Sequence, residues 1–189
     1  MEPVTPRLPL LTPTQLSAEQ AALREAIAGG ERARDSAAFA LIDDAGGLAG
    51  PFNAMLHAPG VGDPLQRLGA SIRYQTSLPD RSRELAILLV ATAWDSAFER
   101  MAHEAVGLRA GLSETDLAAL REPTRPASLD QAETAVYDVT SALIAGDIDD
   151  ELWHRGTELL GYQQLVELTT LVGYYALLAL QLRVFRVGA

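Results

Sequence analysis

Two carboxylates and one imidazole stand in the segment from Arg83 to Leu112, and their types suit proton transfer. Glu99 and His103 are four residues apart, and on a helix that spacing puts both side chains on one face, within contact range. A carboxylate beside an imidazole orients the ring and favours its charged form, so such a pair can move a proton near neutral pH. Glu84 lies among Leu85, Ile87, Leu88 and Val90. A carboxylate in an apolar helix is expensive unless it is paired or protonated, which makes Glu84 a third candidate. It precedes His103 by 19 residues. On a continuous helix that is a rotation of about 100°, so only a bend, with Trp94-Asp95 as its candidate, would bring Glu84 to the pair. A Glu and a His four apart also occur on ordinary exposed helices. A catalytic zinc wants about three protein ligands, and neither His57 nor His154 stands in a ligand motif, so no metal is expected.

These residues need helices to hold them, and the chain supplies little else. Ser17 with Gln20 has capping-box form, and the helix behind it stops at Gly29-Gly30. A short helical piece is expected over 31–43, then a Gly- and Pro-rich loop over 46–62 with one turn in Phe52–His57. Asp63-Pro64 reads as a cap followed by proline at the first helical position, with the helix ending near Tyr74. Asp80 is the cap candidate for the next helix. Its apolar positions, Leu85 and Ile87 to Ala91, occupy most of the circumference, the mark of a buried helix. Helical pattern runs on to Leu108, and Gly111 closes it. Ser113 opens a short helix, and Ser128 with Gln131 has capping form for another that runs to Ala145 and Gly146. Asp149 or Asp150 caps a helix to Gly161, and a last one covers 162–183. No alternating strand pattern occurs, so the expected class is all-α, a bundle of seven or eight helices.

Residues 1–16 hold Pro3, Pro6, Pro9 and Pro13 and read as an extended arm, lying over a neighbouring subunit or forming a mobile tail; 17–189 read as a single domain. The last helix, LVELTTLVGYYALLALQL, is apolar on nearly every side, and a small bundle rarely buries such a helix alone. A homo-oligomer is therefore expected. The longest uncharged stretch, Leu168–Leu182, has 15 residues, against roughly 20 for a membrane span. The N-terminus lacks a basic start followed by an apolar core. A soluble, cytoplasmic protein with no membrane partner is expected.

Composition narrows the chemistry. The chain of 189 residues carries 15 basic and 25 acidic residues, a formal net charge of −10. Its basic residues are scattered, so nucleic acid is not an expected partner. It contains no cysteine, which removes disulfides, thiolate metal sites and thiol redox chemistry.

The string RELAILLVA, the Glu-x-x-x-His pair and the following GLSETDLAAL resemble the carboxymuconolactone decarboxylase family, which also includes the AhpD-like alkylhydroperoxidases. GPFNAMLHAPGVGDPLQRLGASIRY and LVELTTLVGYYALLA are similar to flanking parts of its longer members, so the resemblance covers roughly 40–187. It implies an AhpD-like helical bundle, trimers or hexamers, and cofactor-free chemistry on a small unsaturated lactone or carboxylate. In the peroxidases a C-x-x-C motif is followed four residues later by His. Here Ser96 and Glu99 stand at the two cysteine positions, His103 at the family's His, and Glu84 at its upstream Glu. A serine cannot form the disulfide a peroxidase cycle requires. By resemblance, His103 would shuttle the proton and Glu84 and Glu99 would set its tautomer and charge. Arg83 or Arg81 would hold a substrate carboxylate or a developing dienolate, unless they serve simple salt bridges. Ser96 joins the substrate side. Trp94, Phe98 and Met101 would line a pocket or belong to the core, and Tyr174 and Tyr175 read as packing residues. A non-catalytic oligomeric scaffold is the alternative.

Overall fold

The structure, a computed structural model, describes residues 5–30, 40–122 and 124–187. Among them are eight α-helices and no strand beyond a single Ile42–Leu48 bridge. They are α1 Ala18–Ala28, α2 Pro51–His57, α3 Pro59–Tyr74, α4 Asp80–Ala93, α5 Ala97–Arg109, α6 Glu114–Arg121, α7 Gln131–Ala145 and α8 Asp150–Phe185. A 3-10 turn covers Pro13–Gln15. The chain divides into two compact units, Met1–Tyr74 with Leu180–Ala189, and Gln75–Ala179.

In the first unit α1 packs on α2 and α3. Ser17 and Gln20 form the expected capping box, and Leu23 and Ile27 are buried. Of the helical piece expected over 31–43, positions 31–39 lie outside the described residues, and 40–43 is loop. The loop expected over 46–62 is shorter than its glycines suggest. Pro51 begins α2 at a position where its missing N–H costs nothing. Helix α3 begins at Pro59, not at Asp63-Pro64, so Pro64 sits inside a helix. The physical reason is close packing at Gly62, where a β-carbon would lie 2.3 Å from the Met55 carbonyl oxygen. A bare backbone is needed there, and glycine supplies it.

The proline-rich segment is tied down within this unit. Arg7 donates from its amide to the Phe185 carbonyl at 2.9 Å and from its guanidinium to the Val184 carbonyl at 3.0 Å. Asn53 accepts from the Leu11 amide and donates to the Pro9 carbonyl, which His57 also meets through Nε2 at 2.9 Å. The described arm thus runs along its own chain.

In the second unit α4 is the central helix, packed on α5, α6 and α7. Every residue from Ser82 to Ala91 is buried, as its all-round apolar pattern requires. Burying a Leu, Ile or Val side chain there contributes roughly 1.5–3 kcal/mol. Its N-cap is Pro79; Asp80 is the first helical residue, and it pairs with Arg83 at 2.9 Å instead of capping. Helix α6 opens with the expected Ser113 box, completed by Asp116. Helix α7 is capped by Asp130 with Glu133, not by Ser128. Ser128 is drawn elsewhere: its hydroxyl donates to Asp116 at 2.6 Å and accepts from Arg81 at 2.9 Å. Arg81 also reaches Asp116, Glu133 and the Gly111 carbonyl. This network joins the starts of α4, α6 and α7.

Asp149 caps α8 through the Leu152 amide. The expected boundary at Gly161 is present as a kink: Gly161 takes a non-helical φ of 74° and ψ of 168°, and two helical stretches meet there within α8. By length and composition α8 could cross a membrane, but half of its most apolar window is buried.

Candidate functional site

The break between α4 and α5 decides the site. Helix α4 stops at Ala93, Asp95 takes a left-handed φ of 49°, and α5 restarts after Ser96. Asp tolerates that conformation better than most residues. The Ser96 amide is held by the Ala91 carbonyl at 2.8 Å, which folds α5 back against α4. Glu84 on the first helix and His103 on the second then meet, with Glu84 Oε2 2.6 Å from His103 Nδ1. Glu99, one turn before His103 on α5, places Oε2 3.5 Å from Nε2. The imidazole is therefore flanked by a carboxylate at each nitrogen.

All three side chains are buried, and Glu84 is 0 % exposed. A buried carboxylate needs compensation, and the neighbours supply it. His103 Nδ1–H donates to Glu84, whose other oxygen lies 3.6 Å from Arg83 Nε. Arg83, itself buried, bridges on to Asp80. The result is a chain Asp80–Arg83–Glu84–His103–Glu99 running inward from the surface. Such an arrangement fixes the ring and its tautomer through Nδ1 and leaves Nε2 as the nitrogen that can give or take a proton.

Tyr175 completes the surroundings. Its ring stands edge-on to His103, 5.1 Å between centroids at 88°, and Tyr174 meets Tyr175 in the same way at 5.3 Å. Sequence spacing gives no sign of this contact, because the residues lie 72 positions apart and the sequence pattern marks both tyrosines as packing.

The other sequence candidates separate. Ser96 is buried, and its hydroxyl has no hydrogen-bond partner. It stands at the N-cap of α5 without making a cap bond. Arg83 lies beside Glu84, whereas Arg81 is occupied by the Asp116–Ser128–Glu133 network. Trp94 and Phe98 are half-buried, while Met101 is 56 % exposed and does not belong to the core. Among the described residues no group of three or more His, Cys, Asp or Glu is arranged to hold a metal ion. Thiol chemistry has no residue to act through, since the chain has no cysteine.

Fold and site together define an all-α helical protein with a buried Glu–His–Glu centre at a helix break. Residues 59–142 match the model of the Carboxymuconolactone decarboxylase family. The matched stretch includes Glu84, Glu99 and His103. A similar solved structure is that of the debrominase Bmp8, a cysteine-to-alanine variant in complex with 2,3,4-tribromopyrrole. It has a TM-score of 0.72 at 14% sequence identity, over 97% of this chain and 92% of that one. At that identity the likeness is one of fold. No curated protein matches the sequence.

Proposed function

We propose that the protein is a cofactor-free lyase or isomerase of the carboxymuconolactone decarboxylase type, acting by proton transfer at His103 on a small unsaturated lactone or carboxylate. The observation that carries the reading is the 2.6 Å contact between buried Glu84 and His103 Nδ1, with Glu99 at Nε2. In the isomerase direction His103 Nε2 takes a proton from carbon. The C–H electron pair passes into the conjugated carbonyl, and the proton returns further along the allylic system. In the decarboxylase direction a C–C bond breaks, carbon dioxide leaves, and the imidazolium protonates the carbon that lost it. Glu84 acts as a positioning residue, and Glu99 is a second station for the moving proton. The Ser96 hydroxyl, buried and unpartnered, is a donor for a substrate oxygen. The debrominase of the same fold holds a small, flat unsaturated ring, and a ligand of that size suits this reading.

The alternative, an oligomeric scaffold, draws on one observation. The centre is nearly closed to solvent, and the groove of about 470 Å³ between α1 and α3 is lined by Glu19, Leu23, Asp63 and Arg67 among others, none of them from the centre.

The test is proton exchange. A set of γ-carboxylated and simple unsaturated lactones is incubated with the protein in deuterium oxide and followed by proton NMR. Wild type should incorporate deuterium or release carbon dioxide, and His103→Gln should lose about 10²–10⁴-fold, the usual worth of a positioned acid or base. A folded His103→Gln variant with undiminished exchange would sink the proton-transfer reading. A wild type that neither binds nor turns over any of the set would leave the scaffold.

A further inference from the structure

We propose that Tyr175 is a positioning residue for the proton-transfer centre: its ring, standing across the imidazole, fixes the plane in which His103 presents Nε2. The inference deepens the proton-transfer reading, and its kinetic test rests on that reading.

The need for such a residue arises at Nε2. Glu84 meets Nδ1 at 2.6 Å, a short hydrogen bond. Glu99 stands 3.5 Å from Nε2, longer than an N–H···O bond usually runs. The torsion that turns an imidazole about its Cβ–Cγ bond is broad, so one hydrogen bond at Nδ1 leaves the ring room to tilt. Tilting swings Nε2, the nitrogen that exchanges the proton, off the line to a reacting carbon.

Tyr175 supplies the missing constraint from another helix. Its ring centroid lies 5.1 Å from that of His103, with the planes at 88°. This is an edge-to-face pair, worth about 0.5–1.5 kcal/mol beyond burial, and a tilt of the imidazole drives one ring into the other. Tyr175 is itself braced. It is 4 % exposed, and the ring of Tyr174 stands perpendicular to it at 5.3 Å. Helix α8 is also registered against the start of α4. Glu167 accepts from the Ser77 amide at 2.9 Å and from its hydroxyl at 2.8 Å, and Gln164 donates to the Ser77 carbonyl at 3.2 Å. Ser77 lies just before Pro79, the N-cap of the helix that carries Glu84. The helix that presents Tyr175 is thus tied to the helix that presents Glu84, and the imidazole is placed from two sides by one joint. The role belongs to the ring of Tyr175, so phenylalanine can fill it and leucine cannot.

The test compares Tyr175→Leu, Tyr175→Phe and Leu165→Ala in the deuterium-exchange assay. Leu165 is equally buried and lies on the same helix, about 15 Å from Tyr175 at 1.5 Å per residue, so its variant measures what lost packing of α8 does by itself. Tyr175→Leu should lower kcat by about 10–10²-fold with KM within about two-fold, as misplacement of an acting group does. Tyr175→Phe should recover kcat to within about three-fold, and Leu165→Ala should keep it within about three-fold while its Tm falls. Should Tyr175→Leu not fold, Tyr175→Met takes its place, since its flexible side chain fills the space without a ring. A ringless variant with wild-type kcat, a Tyr175→Phe variant as impaired as the ringless one, or an equal loss in Leu165→Ala overturns the proposal. If wild type turns over none of the lactones, the proton-transfer reading fails, and crystal structures of the same variants still decide this one. The imidazole plane should turn by more than about 20° in the ringless variant and stay in Tyr175→Phe. An unmoved imidazole in the ringless variant overturns the proposal.

Discussion

Removing the Glu84 carboxylate should reveal how much of the fold depends on the buried pair. Glu84 has no exposed surface, its Oε2 lies 2.6 Å from His103 Nδ1, and its Oε1 lies 3.6 Å from Arg83 Nε. Glu84→Ala leaves an imidazole N–H and a guanidinium facing a cavity. Deleting one partner of a buried ion pair costs about 3–5 kcal/mol. Glu84→Gln keeps the volume, and its amide oxygen can still accept from Nδ1–H. What it loses is charge assistance, about 1–1.5 kcal/mol as the difference between charged and neutral hydrogen bonds. For a chain of this length each kcal/mol moves Tm by roughly 2–4 °C, so the alanine variant should fall by about 6–20 °C and the glutamine variant by about 2–6 °C. Differential scanning calorimetry at one fixed protein concentration reads both, because subunit association would otherwise shift Tm by mass action. A double-mutant cycle of Glu84→Gln with His103→Gln isolates the contact, and residues in direct contact typically couple by about 0.5–3 kcal/mol. An alanine variant within about 1 kcal/mol of wild type would refute the reasoning, since a buried imidazole N–H stripped of its acceptor beside a new cavity cannot be that cheap. So would a coupling energy of zero.

Asp116 gives a pH-dependent prediction. Burial pushes its carboxyl up, but hydrogen bonds from the Ser128 hydroxyl, from Ser113 and from Arg81 outweigh burial and hold it below the usual value. Its folded pKa is therefore depressed, so its contribution is present above an unfolded value of about 3.9 and is lost as pH falls through the folded one. Asp116→Asn should lower Tm clearly at neutral pH and far less in acid, as thermal unfolding across the acid range will read. Gly62→Ala should destabilise by about 1–3 kcal/mol, because its β-carbon meets the Met55 carbonyl and backbone must shift; urea unfolding measures it, and an unchanged midpoint would contradict the close approach. Asn53→Ala removes both hydrogen bonds to the arm, from the Leu11 amide and to the Pro9 carbonyl. It should speed amide hydrogen exchange at Leu11, and unchanged exchange there would mean that the arm is held by other contacts.

What could be read in advance was what neighbours along the chain determine. The Ser17–Gln20 and Ser113–Asp116 caps, the stops at Gly111 and Gly146, and the buried α4 all follow from residues a few positions apart. Local reading failed where two local signals competed and distant packing chose. Pro59 began α3 although Asp63-Pro64 had the better-looking start, because Gly62 must lie against Met55. Asp130 capped α7 because Ser128 was claimed by Asp116 and Arg81 across the unit.

The same division runs through the candidate site. By itself the sequence determined that thiol chemistry is absent, that the described chain is helical, and that Glu99 and His103 share a face, since four residues make about one helical turn. Only the tertiary structure decided that Glu84 reaches His103. A continuous helix would have aimed it elsewhere, and the left-handed turn at Asp95 folds α5 back so that the two meet. It also decided that Tyr175, 72 positions away, stands against the imidazole. Contacts of that kind depend on how helices dock, and docking is set by the shapes of whole faces that no local spacing contains.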